Sequence, residues 1–259
     1  MNKTNLSQLK IFLNEKYQQY NNKKFIIDDP VSIPHKYKYK EDIEIAGFLT
    51  SSISWGGRKS IIQNANKLMS LMGNSPFDFI MNANINNLNL INSFVHRTFN
   101  STDCKFFILS LKNIYTKYAG LEEIFSFTKQ NEKWNARTSI SHFANIFFEI
   151  PHPEHTVKHI ANPDKGSAAK KINMFLRWMV RKDLNGVDLG IWENIPISEL
   201  ICPLDVHSAT TSRKLGLLQR KTNDWKAAVE LTENLKKLDS DDPVKYDFAL
   251  FGLGVFEKF

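Results

Sequence analysis

Apolar residues recur at helical spacing along most of the chain. Leu6, Leu9, Phe12, Leu13 and Tyr17 share one face of residues 4–20 and predict a first amphipathic helix. Asp28-Asp29-Pro30 and Ile33-Pro34 break the pattern and predict a loop. Lys and Tyr then alternate through HKYKYK (35–40), which reads as a solvated basic loop or as a phosphate-contacting strip. From Asp42, DIEIAGFLTSSISW is apolar on almost every side, as a buried helix is. After Gly56-Gly57, RKSIIQNANKLMSLMG is amphipathic and stops at Gly73. Pro76 opens a short helix in SPFDFIMN. Thr102 reads as the N-cap of a helix to Tyr118, and ISHFANIFFEI as a buried helix halted by Pro151 and Pro153.

The C-terminal third continues in the same way. NPDKGSAAKKINMFLRWMVR reads as a loop, a Gly-containing turn and a helix. Its basic end, Arg177 to Lys182, is expected to snorkel into solvent. KDLNGVDLGIW is a polar connector that ends on a buried Trp192. SELICPLDVHSATTSRKLGLL predicts a short helix, a proline break and a second helix. A capping signal precedes the amphipathic WKAAVELTENLKKL, and Asp242-Pro243 supplies an N-cap and first helical residue for the last helix. There is no internal repeat and no low-complexity tract.

With 11 Gly and 9 Pro the composition disfavours a turn-rich β fold, so the expected class is all-α. A chain of 259 residues suits one large domain or two small lobes, and 19 Phe supply a sizeable core. Lys and Arg (34) exceed Asp and Glu (27), which fits a polyanionic partner, most simply nucleic acid. Cys104 and Cys202 alone cannot build a disulfide framework, a four-thiolate zinc site or an iron–sulfur cluster. They read as two buried thiols in a reducing cytoplasm. The polar first twenty residues lack the apolar core of a signal peptide, and no apolar stretch reaches the roughly 18–20 residues that span a bilayer. A cytoplasmic protein without membrane association is expected. His152, His155 and His159 in HPEHTVKH lack an acidic or thiol set to complete a metal site, and read as solvated or phosphate-contacting. GGRKS lacks the Gly-x4-Gly-Lys spacing of a phosphate loop. No metal and no cofactor are expected.

Three segments, in order, resemble the helix-hairpin-helix DNA glycosylase superfamily, which includes endonuclease III and the 8-oxoguanine glycosylases. EIAGFLTSSISWGGRKSII resembles the superfamily's early buried helix leading into the base pocket. PDKGSAAKKINMFL resembles the hairpin Leu-Pro-Gly-Val-Gly-x-Lys-Thr-Ala, and PLDVHSATTSRKLGLL the Val-Asp-Thr-His-Val-x-Arg pattern followed by Arg-Leu-Gly-Leu. The tail YDFALFGLG resembles the closing helix. The match spans about two-thirds of the chain and also resembles a bacterial branch of unassigned function and the archaeal 8-oxoguanine glycosylases. The resemblance implies two helical lobes around a central cleft. One lobe would run over 43–198, including the hairpin 163–172; the other would join 1–42 to 199–259. It implies a monomeric DNA glycosylase, with or without abasic-site lyase activity, acting on a damaged or modified base flipped into the cleft. RNA stays open as a partner. A non-catalytic nucleic-acid binder and a base-modifying enzyme with the same pocket are the alternatives.

Such chemistry needs a carboxylate beside the sugar, where positive charge grows as the base departs. Asp205 matches that position. It follows Pro203 at a helix start, where a plain N-cap is the other reading, and one Asp can serve as both. A lyase also needs an amine that attacks the sugar carbon. Aligning Gly166-Ser167-Ala168-Ala169-Lys170 on the hairpin puts Lys170 there and Asn173 where endonuclease III-like chains often carry Asn. Lys171 takes the role if the register slips, and the pair could instead touch phosphates. Neighbouring helical residues point about 100° apart, so only one enters a pocket. The resemblance assigns Lys165, Gly166, Ser167, Ala168, Lys171, His207 and Arg213 to the DNA backbone. Ala168 replaces the hairpin's second Gly, and its Cβ bears on close approach and on left-handed backbone. Ser52, Ser54 and Trp55 fall in the base pocket, with Trp55 either stacking on the base or filling the core.

Overall fold

The predicted helices form, except that SELIC (198–202) holds only the end of a short 3-10 turn, Ile197–Glu199. A computed structural model describes residues 3–130 and 132–259, and these contain no β-strand, only the isolated bridges His96–Phe99 and Ser167–Asp224. The fold is all-α. Its longer helices are Lys3–Tyr20, Lys40–Ser52, Arg58–Leu71, Ser101–Lys117, Ala136–Phe147, Lys170–Val180, Val206–Lys214, Trp225–Lys236 and Tyr246–Val255. Among the described residues no helix is long and apolar enough to cross a membrane. The cap of Ser101–Lys117 is Asn100 rather than Thr102. The Asn100 side chain accepts from the Thr102 and Asp103 amides, and the Asp103 carboxylate accepts from the Asn100 amide. An Asn three residues ahead of an Asp closes both bonds of a capping box, which Thr102 cannot do. Asp242 caps as expected, accepting from the Lys245 amide at 3.2 Å, and Pro243 opens the short turn that leads into the last helix.

Two compact units divide the chain. One is Ile26–Ala161. Its core is aromatic: Phe107 meets Phe147 edge-on at 4.8 Å, Phe125 stacks on Phe143 at 4.4 Å, and Phe48 meets Phe143 at 5.4 Å. The helix read as apolar all round, Lys40–Ser52, is buried from Ile43 to Ser52.

The other unit joins Met1–Phe25 to Asn162–Phe259. The hairpin and its helix therefore group with both chain ends, whereas the sequence reading placed residues 43–198 together. The cause lies in the basic end of the Lys170–Val180 helix. Arg177 and Arg181 do not snorkel; they are 5% and 0% exposed. Arg181 pairs with Asp183 (2.7 Å), Asp242 (2.9 Å) and Asp188 (3.1 Å), and donates to the Tyr17 hydroxyl (2.8 Å). Arg177 pairs with Asp188 (3.1 Å) and with Asp247. These bonds run from one helix to the first helix, the connector and the C-terminal segment.

Gly252 and Gly254 set how closely the last helix is packed. A Cβ on Gly252 would lie 2.1 Å from Tyr20 Cδ2, and one on Gly254 would lie 3.0 Å from His207 Cβ and from Thr211 Oγ1. The FGLG motif thus lets one helix approach the Lys3–Tyr20 helix on one side and the Val206–Lys214 helix on another. Gly252→Ala gains up to about 1 kcal/mol of helix propensity and loses about 1–3 kcal/mol to overpacking against a ring. Net destabilisation is expected, read as a lower urea midpoint at unchanged slope. An unchanged or higher midpoint would show that Tyr20 moves aside freely.

Candidate functional site

The hairpin is built by local bonds. The Asn162 side chain accepts from the Asp164 amide at 2.8 Å and starts the tight turn Pro163–Lys165. Gly166 follows at φ +83°, which favours glycine, and a Cβ there would meet nothing within 4 Å. The turn is thus open on that side, with Lys165 and Gly166 exposed and Ser167 half-buried. The Gly166 carbonyl accepts from the Trp225 amide at 3.0 Å, which ties the hairpin to the next helix start. Ala168, expected among the DNA contacts, is buried, and its carbonyl accepts from Asn173 Nδ2 at 3.0 Å. It has no side chain to offer a phosphate. The second left-handed residue is Ala169 (φ +47°), one position beyond the residue that the resemblance pairs with glycine.

Lys170 opens the helix, and its Nζ lies 3.5 Å from Met174 Sδ, one turn along. Lys171 is half-buried. Desolvation, with a smaller contribution from the charge of Lys170, pushes its amine down to about 8.

Asp205 caps Val206–Lys214. Its Oδ1 accepts from the Ser208 amide at 2.8 Å, and its own amide donates to Ser208 Oγ at 2.9 Å. The Ser208 hydroxyl also lies 3.1 Å from Oδ1. Among the described residues Asp205 Oδ2 makes no hydrogen bond or ion pair, and the residue is half-exposed. Burial pushes the carboxyl of Asp247 up, Arg177 opposes the rise, and the charges of Asp205 and Lys170 act on it in opposite directions. His207 is exposed on the first turn of the capped helix. Arg213 is already committed: it donates to the carbonyls of Arg220 (2.9 Å) and Lys221 (3.0 Å) and to Asn223 Oδ1 (2.6 Å). It clamps the loop that runs through 220–223.

The residues read as a base pocket lie in the Ile26–Ala161 unit. Ser52 and Ser54 are buried, and Ser54 Oγ donates to the Thr50 carbonyl at 2.7 Å. Trp55 is half-buried. Its ring stacks on His159 at 5.9 Å and 26° and meets His96 edge-on at 5.1 Å. His159 is buried rather than solvated, with Nε2 3.3 Å from Asp103 Oδ2. Exposed His155 lies 3.4 Å from Asp103 Oδ1, and the Thr156 hydroxyl donates to the same oxygen at 2.7 Å. Sequence reasoning missed Asp103, because a capping residue and an ion-pair partner look the same in a helix start. It missed His96 because the histidine stands alone between Val95 and Arg97. Among the described residues no group of three or more His, Cys, Asp and Glu side chains is placed to hold a metal ion. Cys104 and Cys202 are free and buried, and burial pushes both thiols up.

Residues 29–256 match the family described as Protein of unknown function (DUF2400), and the chain belongs to that family. No curated protein and no solved structure matches the chain.

Proposed function

We propose that this member of the DUF2400 family is a cytoplasmic DNA glycosylase with abasic-site lyase activity, in the manner of the helix-hairpin-helix enzymes its sequence resembles. The observation that carries the reading is Asp205. One carboxylate oxygen accepts from the amide and the hydroxyl of Ser208, and among the described residues the other makes no hydrogen bond or ion pair. A helix start favours the ionised form, so the group combines a fixed position with an oxygen free to face a sugar on which positive charge develops. Lys170, at the start of the helix that follows the hairpin, supplies an amine. Lys165 and the open turn at Gly166 supply backbone and ammonium donors for a phosphate, which fix position without reading sequence.

A base-release screen across lesion-containing duplexes, comparing the wild type with Asp205→Asn, tests the chemistry. Release that ignores the substitution, or none from any lesion, would remove the reading. In the second case a binding protein without chemistry becomes the better account, since the cap alone explains Asp205. Binding is tested separately. Affinity for duplex DNA is expected to fall steeply with salt, and Lys165→Ala is expected to weaken all sequences alike and flatten the log–log salt slope by about 0.9. An unchanged slope would take Lys165 out of the interface.

A further inference from the structure

The guanidinium of Arg213 is turned on its own chain. It holds the carbonyls of Arg220 and Lys221 and the side chain of Asn223, and so fixes the loop 219–223. We propose that this loop is a second strip for the DNA backbone beside the hairpin, that exposed Lys221 is its phosphate contact, and that Arg213 is the positioning residue that sets the strip in place. The inference rests on the DNA-binding part of the function proposed above and is independent of the chemistry.

Two bonds of the backbone join the loop to the hairpin. Ser167 and Asp224 form an antiparallel bridge, and the Trp225 amide donates to the Gly166 carbonyl at 3.0 Å. The end of the loop therefore runs beside the turn that is open at Gly166. Lys165 stands two residues from the bridge on one strip, and Lys221 three residues from it on the other. A bridge sets Cα atoms about 5 Å apart, and each residue of chain covers at most about 3.6 Å. The Cα atoms of the two lysines therefore lie within about 23 Å of each other. One DNA strand presents a phosphate about every 3.4 Å along the axis. The pair spans about seven phosphates at most, a stretch that a single backbone can serve.

The loop is held along its length. Asp224 accepts from the Ala227 amide at 3.0 Å, which caps the Trp225–Lys236 helix, and from Arg220 Nε at 2.7 Å and Nη2 at 2.6 Å. The Thr222 hydroxyl donates to the same carboxylate at 3.0 Å. At the other end the Gln219 amide donates to Glu230 Oε1 at 2.6 Å, and Asn234 Nδ2 donates to the Leu217 carbonyl at 2.8 Å. Leu217 and Leu218 are buried and anchor the start of the loop. The same bonds set the charge of the strip. Asp224 is matched by Arg220, and Glu230 accepts from a backbone amide. Lys221 is exposed and makes no ion pair among the described residues. The hairpin turn carries one exposed carboxylate, Asp164, which Lys165 and Lys221 together outnumber. A loop that is already ordered loses little freedom on binding, so more of the attraction between Lys221 and a phosphate reaches the affinity.

The first measurement is the affinity of the full chain for duplex DNA as salt is varied. Lys221→Ala is expected to flatten the log–log slope by about 0.9, the effect expected of Lys165→Ala, and the double variant by about 1.8. Arg213→Met is expected to weaken binding on its own and to add no change of slope to Lys221→Ala, because Arg213 reaches the DNA only through the strip. A further flattening of about 0.9 in that background would make Arg213 itself a phosphate contact and refute its positioning role. The second measurement is hydrogen exchange at the Trp225 amide in DNA-free protein. Exchange is expected to quicken in Arg213→Met and to stay unchanged in Lys221→Ala. Equal protection in Arg213→Met and the wild type would also refute the positioning role. A slope flattened by Lys165→Ala and untouched by Lys221→Ala would overturn the strip and leave the hairpin as the DNA contact. A wild type that binds no DNA, or binds it independently of salt, would overturn both. Should Arg213→Met not fold, Lys221→Ala, a substitution at an exposed position, still decides the matter.

Discussion

Arg181→Met is expected to lower folding stability by about 3–5 kcal/mol, the cost of leaving buried carboxylates without their counter-charge. The substitution keeps the packing of the side-chain stem and removes only the guanidinium. That group is fully buried, pairs with Asp183, Asp188 and Asp242, and holds the Tyr17 hydroxyl. Arg181→Lys should recover only part of the loss, since one ammonium cannot reproduce a fork aimed at several acceptors. The acid dependence gives a second readout. Burial pushes the Asp183 carboxyl up, but Arg181, Asn21 and the Gly186 amide outweigh it and hold it at about 2. A folded value below the unfolded one, about 3.9, contributes stability above pH 4 that is lost as pH falls toward 2. This acid loss should shrink in Arg181→Met. Equal urea midpoints for the two proteins at pH 7 would show that water replaces the guanidinium at no cost.

These ion pairs mark where the sequence stopped being legible. Helix positions could be read because an apolar face repeats every 3.6 residues, and that signal survives without knowledge of partners. The burial of Arg177 and Arg181 could not, since their countercharges lie as far away as Asp242 and Asp247, and a basic helix end looks the same in solvent. Asp188 shows the same limit: a connector rich in Asp, Asn and Gly reads as exposed, yet this carboxylate is 3% exposed. Grouping residues 162–198 with the chain ends follows from those partners and was missed with them. Within the site, Asp205 was legible because Pro203, the helix start and the flanking pattern fix it locally. Its Oδ1 makes the bond of a plain N-cap. Arg213 and Ala168 show what a motif leaves open, since it specifies the residue type and not what else the side chain or carbonyl has bonded.

Asp205→Asn should leave stability nearly unchanged, because Asn is as good an N-cap as Asp, and should slow base release about 10²–10³-fold, roughly 2.7–4 kcal/mol of barrier. The contrast separates the two roles: Oδ1 accepts the amide bond in either residue, whereas only the carboxylate offers charge through the second oxygen. The amine is decided on the same DNA. Position favours Lys170, which the hairpin register sets at the nucleophile. Protonation favours Lys171, whose amine desolvation lowers to about 8 and which therefore holds more neutral form near pH 7. An amine that cannot reach the sugar gains nothing from being neutral, so geometry should prevail. Lys170→Ala is expected to abolish borohydride trapping while DNA is still bound, and Lys171→Ala to retain it. The opposite result would move the nucleophile one residue along the helix and turn the pocket-facing side by about 100°. Trapping lost in neither variant, with base release still dependent on Asp205, would make the enzyme monofunctional, with water attacking the sugar.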